Sequence, residues 1–257
     1  MSVKQLFSLE GRIALITGGS RGLGLQMAEA LGEMGCKLAL TARKADELAE
    51  AKSHLEQMGY EVLTVVNDLS NSGQIPGMVD QVMQRFGAID ILVNNAGATW
   101  SAPAEEYPDE AWRKVLGLNV DSLFFVAREV AKRSMIPRKS GKILNIASVA
   151  GLRGSAVNVN TIAYHTSKGA VVNFTRSLAS EWGKYNINVN AICPGFFPSK
   201  MSAGLLEKVA ESVIARAPLH RIGGDEDLKG VVVFLASEAS RHITGQAIAV
   251  DGGISAV

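Results

Sequence analysis

Tyr164 and Lys168 stand four positions apart in the stretch YHTSK, a spacing that puts both on one face of a helix. A free phenol titrates near about 10, so at neutral pH it gives a proton, and making it a base means lowering that value by roughly two to three units, about 3–4 kcal/mol. An ammonium about 4–5 Å away at an effective dielectric of about 20 supplies around that much. Lys168 is therefore expected to lower the Tyr164 pKa, with help from a cationic nicotinamide. By spacing alone the pair is equally a helix-surface pair. Ser148, at the end of NIAS, can aim a hydroxyl at a substrate carbonyl or simply close a strand. Asn119 is polar amid apolar neighbours in LGLNVDSLFF. It either bends its helix and holds a water that passes protons to Lys168, or satisfies a buried backbone group.

A second group of residues fits a dinucleotide. TGGSRGLG places Gly18, Gly22 and Gly24, with Ser20, Arg21 and Leu23 between them, where a strand turns into a helix. Glycines there let backbone approach a pyrophosphate, and the free amides of a helix N-terminus favour the anion. An NAD site would carry a carboxylate at the end of the second strand; KLALTARKADEL has Thr41, Ala42 and Arg43 instead. Arg43, with Arg21 from the turn, offers guanidinium groups for a 2′-phosphate, so the cofactor is expected to be NADP(H). Asp46 and Glu47 read as charges at a helix N-terminus. Asp68, beside Leu69, suits either the adenine amino group or a helix cap, and Asn95-Ala96-Gly97 suits passage close to the ribose and nicotinamide. Asn95 equally suits tying neighbouring strands together.

Such groups must be held by a scaffold, and the alternation of β-rich runs with amphipathic segments supplies one. RIALIT, KLALTA, EVLTVV, DILVNN, KILNIAS, INVNAIC and QAIAVD read as strands. Helical periodicity covers about 44–58, 74–86, 109–135, 161–184, 205–216 and 226–237, with another helix starting near Gly22. This is an α/β pattern with a doubly wound parallel sheet, read as one NADP(H)-binding catalytic domain over 1–257, with 196–218 as a substrate flap. The 257 residues are 47% hydrophobic and 20% charged, with a formal net charge of +1, so no long-range field gathers nucleic acid or an anionic membrane. With no leader-like N-terminus or membrane-length apolar run, the chain is expected in the cytoplasm. Cys36 and Cys193 read as buried free thiols. His54, His165, His220 and His242 have no metal-ligand spacing, although His165 adjoins the tyrosine.

TGGSRGLG, Asp68-Leu69, NNAG, Asn119, Ser148, YHTSK, Pro194-Gly195 and Val250-Asp251-Gly252-Gly253 occur in the order of the short-chain dehydrogenase/reductase family, which the chain resembles over essentially its whole length. The resemblance implies a Rossmann-type seven-stranded parallel sheet in three layers and an Asn119–Ser148–Tyr164–Lys168 tetrad. It adds Lys168 and Tyr164 to the cofactor contacts, with Pro194 and Gly195, and implies a homotetramer or homodimer. In this reading the chain is an NADP-dependent enzyme acting on a CH–OH group or the corresponding ketone.

Within the family, the leading expectation is a 3-oxoacyl thioester reductase, and the alternative is a gluconate 5-dehydrogenase-like sugar-acid or polyol oxidoreductase. A non-catalytic NADP(H) sensor is a third. Carrier-protein reductases present basic residues around the entrance, for which Arg138 and Lys139 are the candidates and Lys184-Tyr185 a thinner match. Trp100, Arg153, Phe196, Phe197 and Met201 are candidate pocket residues, and Arg153 suits a carboxylate or phosphate. The segment between Ser148 and Tyr164 is about three residues longer than is common in the family.

Overall fold

The computed structural model describes residues 1–154, 159–200 and 202–257. Seven strands among the described residues, β1 (Ile13–Thr17), β2 (Lys37–Ala42), β3 (Val62–Val66), β4 (Ile91–Asn94), β5 (Gly141–Ile146), β6 (Ile187–Pro194) and β7 (Ala247–Val250), form one sheet. Its order is β3-β2-β1-β4-β5-β6-β7, and every pairing is parallel. Parallel neighbours need crossovers, and helices crossing both faces explain why β1, β4 and β5 are buried along their whole length.

The helices are α1 (Val3–Phe7), α2 (Gly22–Glu33), α3 (Ala45–Gln57), α4 (Ile75–Phe86), α5 (Asp109–Leu116), α6 (Ser122–Val130), α7 (Ile136–Arg138), α8 (Ile162–Trp182), α9 (Ala203–Arg216) and α10 (Lys229–Ala236). One apolar core joins Leu31 of α2, Leu40 of β2 and Val232 of α10; on the other face Val79 of α4, Val126 of α6 and Val189 of β6 belong to a second. No helix among the described residues is long and apolar enough to cross a membrane.

The periodicity of 109–135 reads as one uniform helix, whereas π turns at Gly117–Asp121 and Ala131–Met135 join α5, α6 and α7. The expected helix at 226–237 begins later, at Lys229. Asp227 is engaged in the preceding turn, accepting from the Gly224 amide and twice from Arg221.

Two features aim the sheet at a ligand. Strand order reverses between β1 and β4, so the chain leaves the sheet in opposite directions there and opens a crevice at the strands' carboxyl ends. Across the sheet, Asn94 donates to Asn145 and Asn145 to Thr175, each at 3.0 Å, a buried line that docks α8 on β4 and β5. The turn from β1 into α2 is equally constrained, because a Cβ on Gly24 would come 2.2 Å from the Gly18 carbonyl oxygen. Gly24→Ala is therefore expected to cost about 1–3 kcal/mol of stability. Thermal unfolding followed by circular dichroism checks this; an unchanged midpoint would contradict the packing described.

Candidate active site

A cavity of about 670 Å³ lies at the carboxyl ends of the strands and runs from the Gly18–Gly24 turn past β4 to Ser148 and Tyr164. Its walls bring together Gly18, Ser20, Arg21, Gly22, Leu23, Gly24, Arg43, Asp68, Leu69, Asn95, Ala96 and Gly97 with Ser148, Tyr164, Lys168, Pro194 and Gly195.

The nucleotide end starts from backbone. The N-cap of α2, Arg21, makes no side-chain capping bond, so the first amides of that helix keep their donors for an anion. Gly18, at φ 63°, has the Asn95 side chain and Ala96 backbone where a Cβ would stand. Asn95 is a tie, as one of its alternatives holds: its amide group donates to the carbonyls of Thr17 and Gly18, both at 3.0 Å. Asp68 turns its carboxylate to the backbone and hydroxyl of Ser70, which lower its pKa, and Arg43 lowers it further. Thr41 Oγ1 and Asn67 Oδ1 are buried with no partner among the described residues, and both residues line this end of the cavity. Open amides, glycines in place of side chains and two unsatisfied polar atoms suit an adenine dinucleotide with a 2′-phosphate.

At the reacting end, Ser148 is extended and accepts the Ala150 amide at 3.1 Å in the turn Val149–Gly151. With an acceptor position filled, its hydroxyl proton is directed elsewhere. Tyr164 and Lys168 are one turn apart on α8, with the Lys168 ammonium 5.6 Å from the phenol ring centroid. Lys168 is 5% exposed and donates to the Ile146 carbonyl at 2.7 Å. Gly151 brings the short turn onto α8, since a Cβ there would stand 2.4 Å from the Lys168 carbonyl oxygen.

Asn119 is 1% exposed in the first π turn. Its carboxamide accepts from the Ala98 amide at 2.8 Å and donates to the Ala98 carbonyl and the Ser167 hydroxyl, both at 2.9 Å. It thus clamps the loop after β4 to α8 from behind the cavity wall, satisfying buried backbone from within a π turn that departs from the regular helix.

Several expectations need correction. Burial raises the Tyr164 pKa, with Ser148 offsetting it in part, so the protein's own groups alone do not produce the lowering expected of Lys168 together with a cationic nicotinamide. Burial instead pushes Lys168 down to about 8. Trp100 is 46% exposed, outside the cavity wall, its carbonyl accepting from Tyr107. Phe197 does line the cavity, while its ring also packs in the main core where a Gly223 Cβ would be. Arg138 binds Asp90, just before β4, while Lys139 accepts from Asn186, just before β6. Lys184 and Tyr185 directly precede Asn186. All these basic residues lie at the amino ends of the strands, opposite the cavity.

Phe196 and Arg153 line the cavity, and Arg153 is steadied by donating to the Ile254 carbonyl at 2.6 Å. Met201 and part of the longer Ser148–Tyr164 segment, 155–158, lie outside the described residues. Arg21 is paired with Glu47. The sequence reading missed Glu47, Lys44, Thr99, Ser199, Lys200 and Arg216 as cavity residues; Lys200 and Ser199 belonged to the PGFFPSKM loop, where cationic and hydroxyl side chains after Pro194-Gly195 were the available signal. Cys36 and Cys193 are free and buried, the latter pushed up to about 11 by burial.

The lowered Lys168 value has a stability consequence. Its folded pKa lies below the unfolded one of about 10.4, so the unfolded chain binds the extra proton: the cost is full below about pH 8 and is relieved as pH rises towards the unfolded value. The stability of Lys168→Met relative to the wild type is therefore expected to fall from pH 7 to about pH 10, on top of a pH-independent cost for the lost Ile146 hydrogen bond. Scanning calorimetry at both pH values checks this, and a difference that stays constant or grows with pH would contradict it.

The chain matches, over residues 18–255, a family profile described as enoyl-(acyl carrier protein) reductase. Gluconate 5-dehydrogenase of Gluconobacter oxydans is 39% identical over 257 residues, covering 99% of each chain. The rhamnolipids biosynthesis 3-oxoacyl-[acyl-carrier-protein] reductase of Pseudomonas aeruginosa is 37% identical over 96% of this chain and 97% of that one. Among solved structures, a gluconate 5-dehydrogenase from Burkholderia cenocepacia in complex with NADP and tartrate superposes with a TM-score of 0.93 at 34% identity, with all of both chains covered. Fold, cavity and these matches together show that the chain belongs to the short-chain dehydrogenase/reductase family.

Proposed function

We propose that this protein is an NADP(H)-dependent oxidoreductase that interconverts a ketone and a secondary alcohol on a sugar acid. The observation that carries the reaction class is the placement of Ser148, Tyr164 and Lys168 around one end of a cavity whose other end suits a dinucleotide. When bound, the nicotinamide cofactor supplies or accepts the hydride. The chain's own residues handle the proton. Tyr164, held neutral by burial, gives its phenolic proton to the oxygen of the reacting carbonyl. Ser148, its hydroxyl already accepting the Ala150 amide, donates to the same oxygen and polarises it. Lys168, anchored on Ile146 beside the phenol ring, would hold the cofactor's ribose; Asn119 holds the surrounding backbone.

A sugar acid is favoured over the 3-oxoacyl thioester expected first, for two reasons. The relatives named as gluconate 5-dehydrogenases include one at 39% identity, against 37% and 35% for carrier-protein reductases. The basic residues expected to receive a carrier protein lie at the wrong end of the sheet, whereas Arg153 lines the cavity and suits a substrate carboxylate.

Steady-state reduction with NADPH should compare 5-keto-gluconate, an acetoacetyl thioester and an uncharged diketone. The expected result is the highest kcat/KM with the keto acid. Arg153→Ala is expected to raise KM for that substrate by roughly tenfold or more, with the diketone changed by less than about threefold. Preferential use of the acetoacetyl thioester would overturn the substrate reading while leaving the reaction class intact.

A further inference from the structure

The end of the cavity that suits a 2′-phosphate already contains an anion of the protein's own. A single oxygen of Glu47, Oε1, accepts from Arg21 Nη1 at 2.9 Å and from Lys44 Nζ at 3.1 Å. Lys200 acts on the same carboxylate from the loop after β6. Arg43 lines the same wall and acts on the Asp68 carboxylate. Glu47 also sits in the first turn of α3, whose N-cap, Lys44, offers no side-chain acceptor to the open amides. Three cations, Arg21, Lys44 and Lys200, and a helix N-terminus therefore act on one carboxylate on the cavity wall, an excess that calls for an anion of higher charge.

We propose that Glu47 is an internal stand-in for the cofactor's 2′-phosphate: it holds Arg21 and Lys44 in the free protein, gives them up when NADP(H) binds, and so limits the preference for the phosphorylated cofactor. The inference rests on the NADP(H) reading. Exposed ion pairs of this kind are weak, while a phosphate carries more charge and more acceptor oxygens than a carboxylate, so it displaces Glu47 from both cations. The displaced carboxylate then stands beside a like charge. Only the fraction of molecules with Arg21 and Lys44 released receives the phosphate at full strength, and the apparent affinity falls in that proportion. NADH has no such phosphate and is indifferent to the exchange. The contrary role, in which Glu47 holds Arg21 and Lys44 ready for the phosphate, predicts the opposite sign for its removal.

Binding of NADPH, NADH, 2′,5′-ADP and 5′-ADP can be measured by fluorescence and calorimetric titration with the wild-type protein, Glu47→Gln and Arg43→Asp. The fragments make the readout independent of turnover. Glu47→Gln is expected to tighten NADPH and 2′,5′-ADP by about three- to tenfold and to leave NADH and 5′-ADP within about twofold, which also shows that the variant is folded. Unchanged or weaker NADPH binding by Glu47→Gln, with wild-type preference for NADPH that Arg43→Asp abolishes, would overturn the inference and leave the cofactor reading standing. A wild-type protein with no preference for the 2′-phosphorylated ligands would overturn the cofactor reading and the inference with it.

Discussion

Lys168 carries an amino group into the cavity wall, where the residue is 5% exposed, and an amine so buried needs a fixed acceptor close at hand. The acceptor is the Ile146 carbonyl, the last of β5, so the end of that strand and one turn of α8 are bound to each other at 2.7 Å. What surrounds this contact follows from it. Gly97 has no side chain because a Cβ would crowd Asn119 and approach Lys168 Nζ to 3.8 Å. Gly151 has none because the turn after Ser148 lies on the α8 backbone. Asn119 holds the loop after β4 against Ser167, the residue before the lysine. The Asn94–Asn145–Thr175 line fixes the same helix further along.

Burial also sets the protonation states. The same desolvation that lowers Lys168 raises Tyr164, so each member of the pair is moved towards its neutral form. A neutral phenol is the form that donates, which suits reduction of a carbonyl. At the far end of the cavity the balance is opposite: cations exceed anions, and exposed ion pairs there can be exchanged for a ligand's charge at small cost.

Much of this was legible in the residues. The strands buried on both faces, β1, β4 and β5, read as largely apolar runs, and β-rich runs placed all seven strands. The glycine turn was legible because a strand ending in glycines that open a helix has few other uses. Periodicity could not show the π turns, which change hydrogen bonding without breaking the helical pattern, and so could not show that Asn119 would reach the Ala98 backbone. The sign of the Tyr164 shift was missed because spacing reports a neighbouring charge and says nothing of desolvation. Trp100 and Arg138 were misjudged because a loop or helix end has two sides, and only the tertiary fold says which one faces the ligand. Glu47 read as a helix N-terminal charge, which it is, but its partners come from a turn 26 residues earlier as well as from Lys44.

The proton donor is the center of the proposed chemistry, and Tyr164→Phe tests it most directly, because it removes one oxygen and keeps the ring that packs beside Lys168. Carbonyl reduction at saturating NADPH should be compared with the wild type, alongside the dissociation constant for NADPH as a check on the site. The account expects a loss of about 10²–10⁴-fold in kcat with cofactor binding within about threefold. Full activity in Tyr164→Phe with every ketone tried would contradict it.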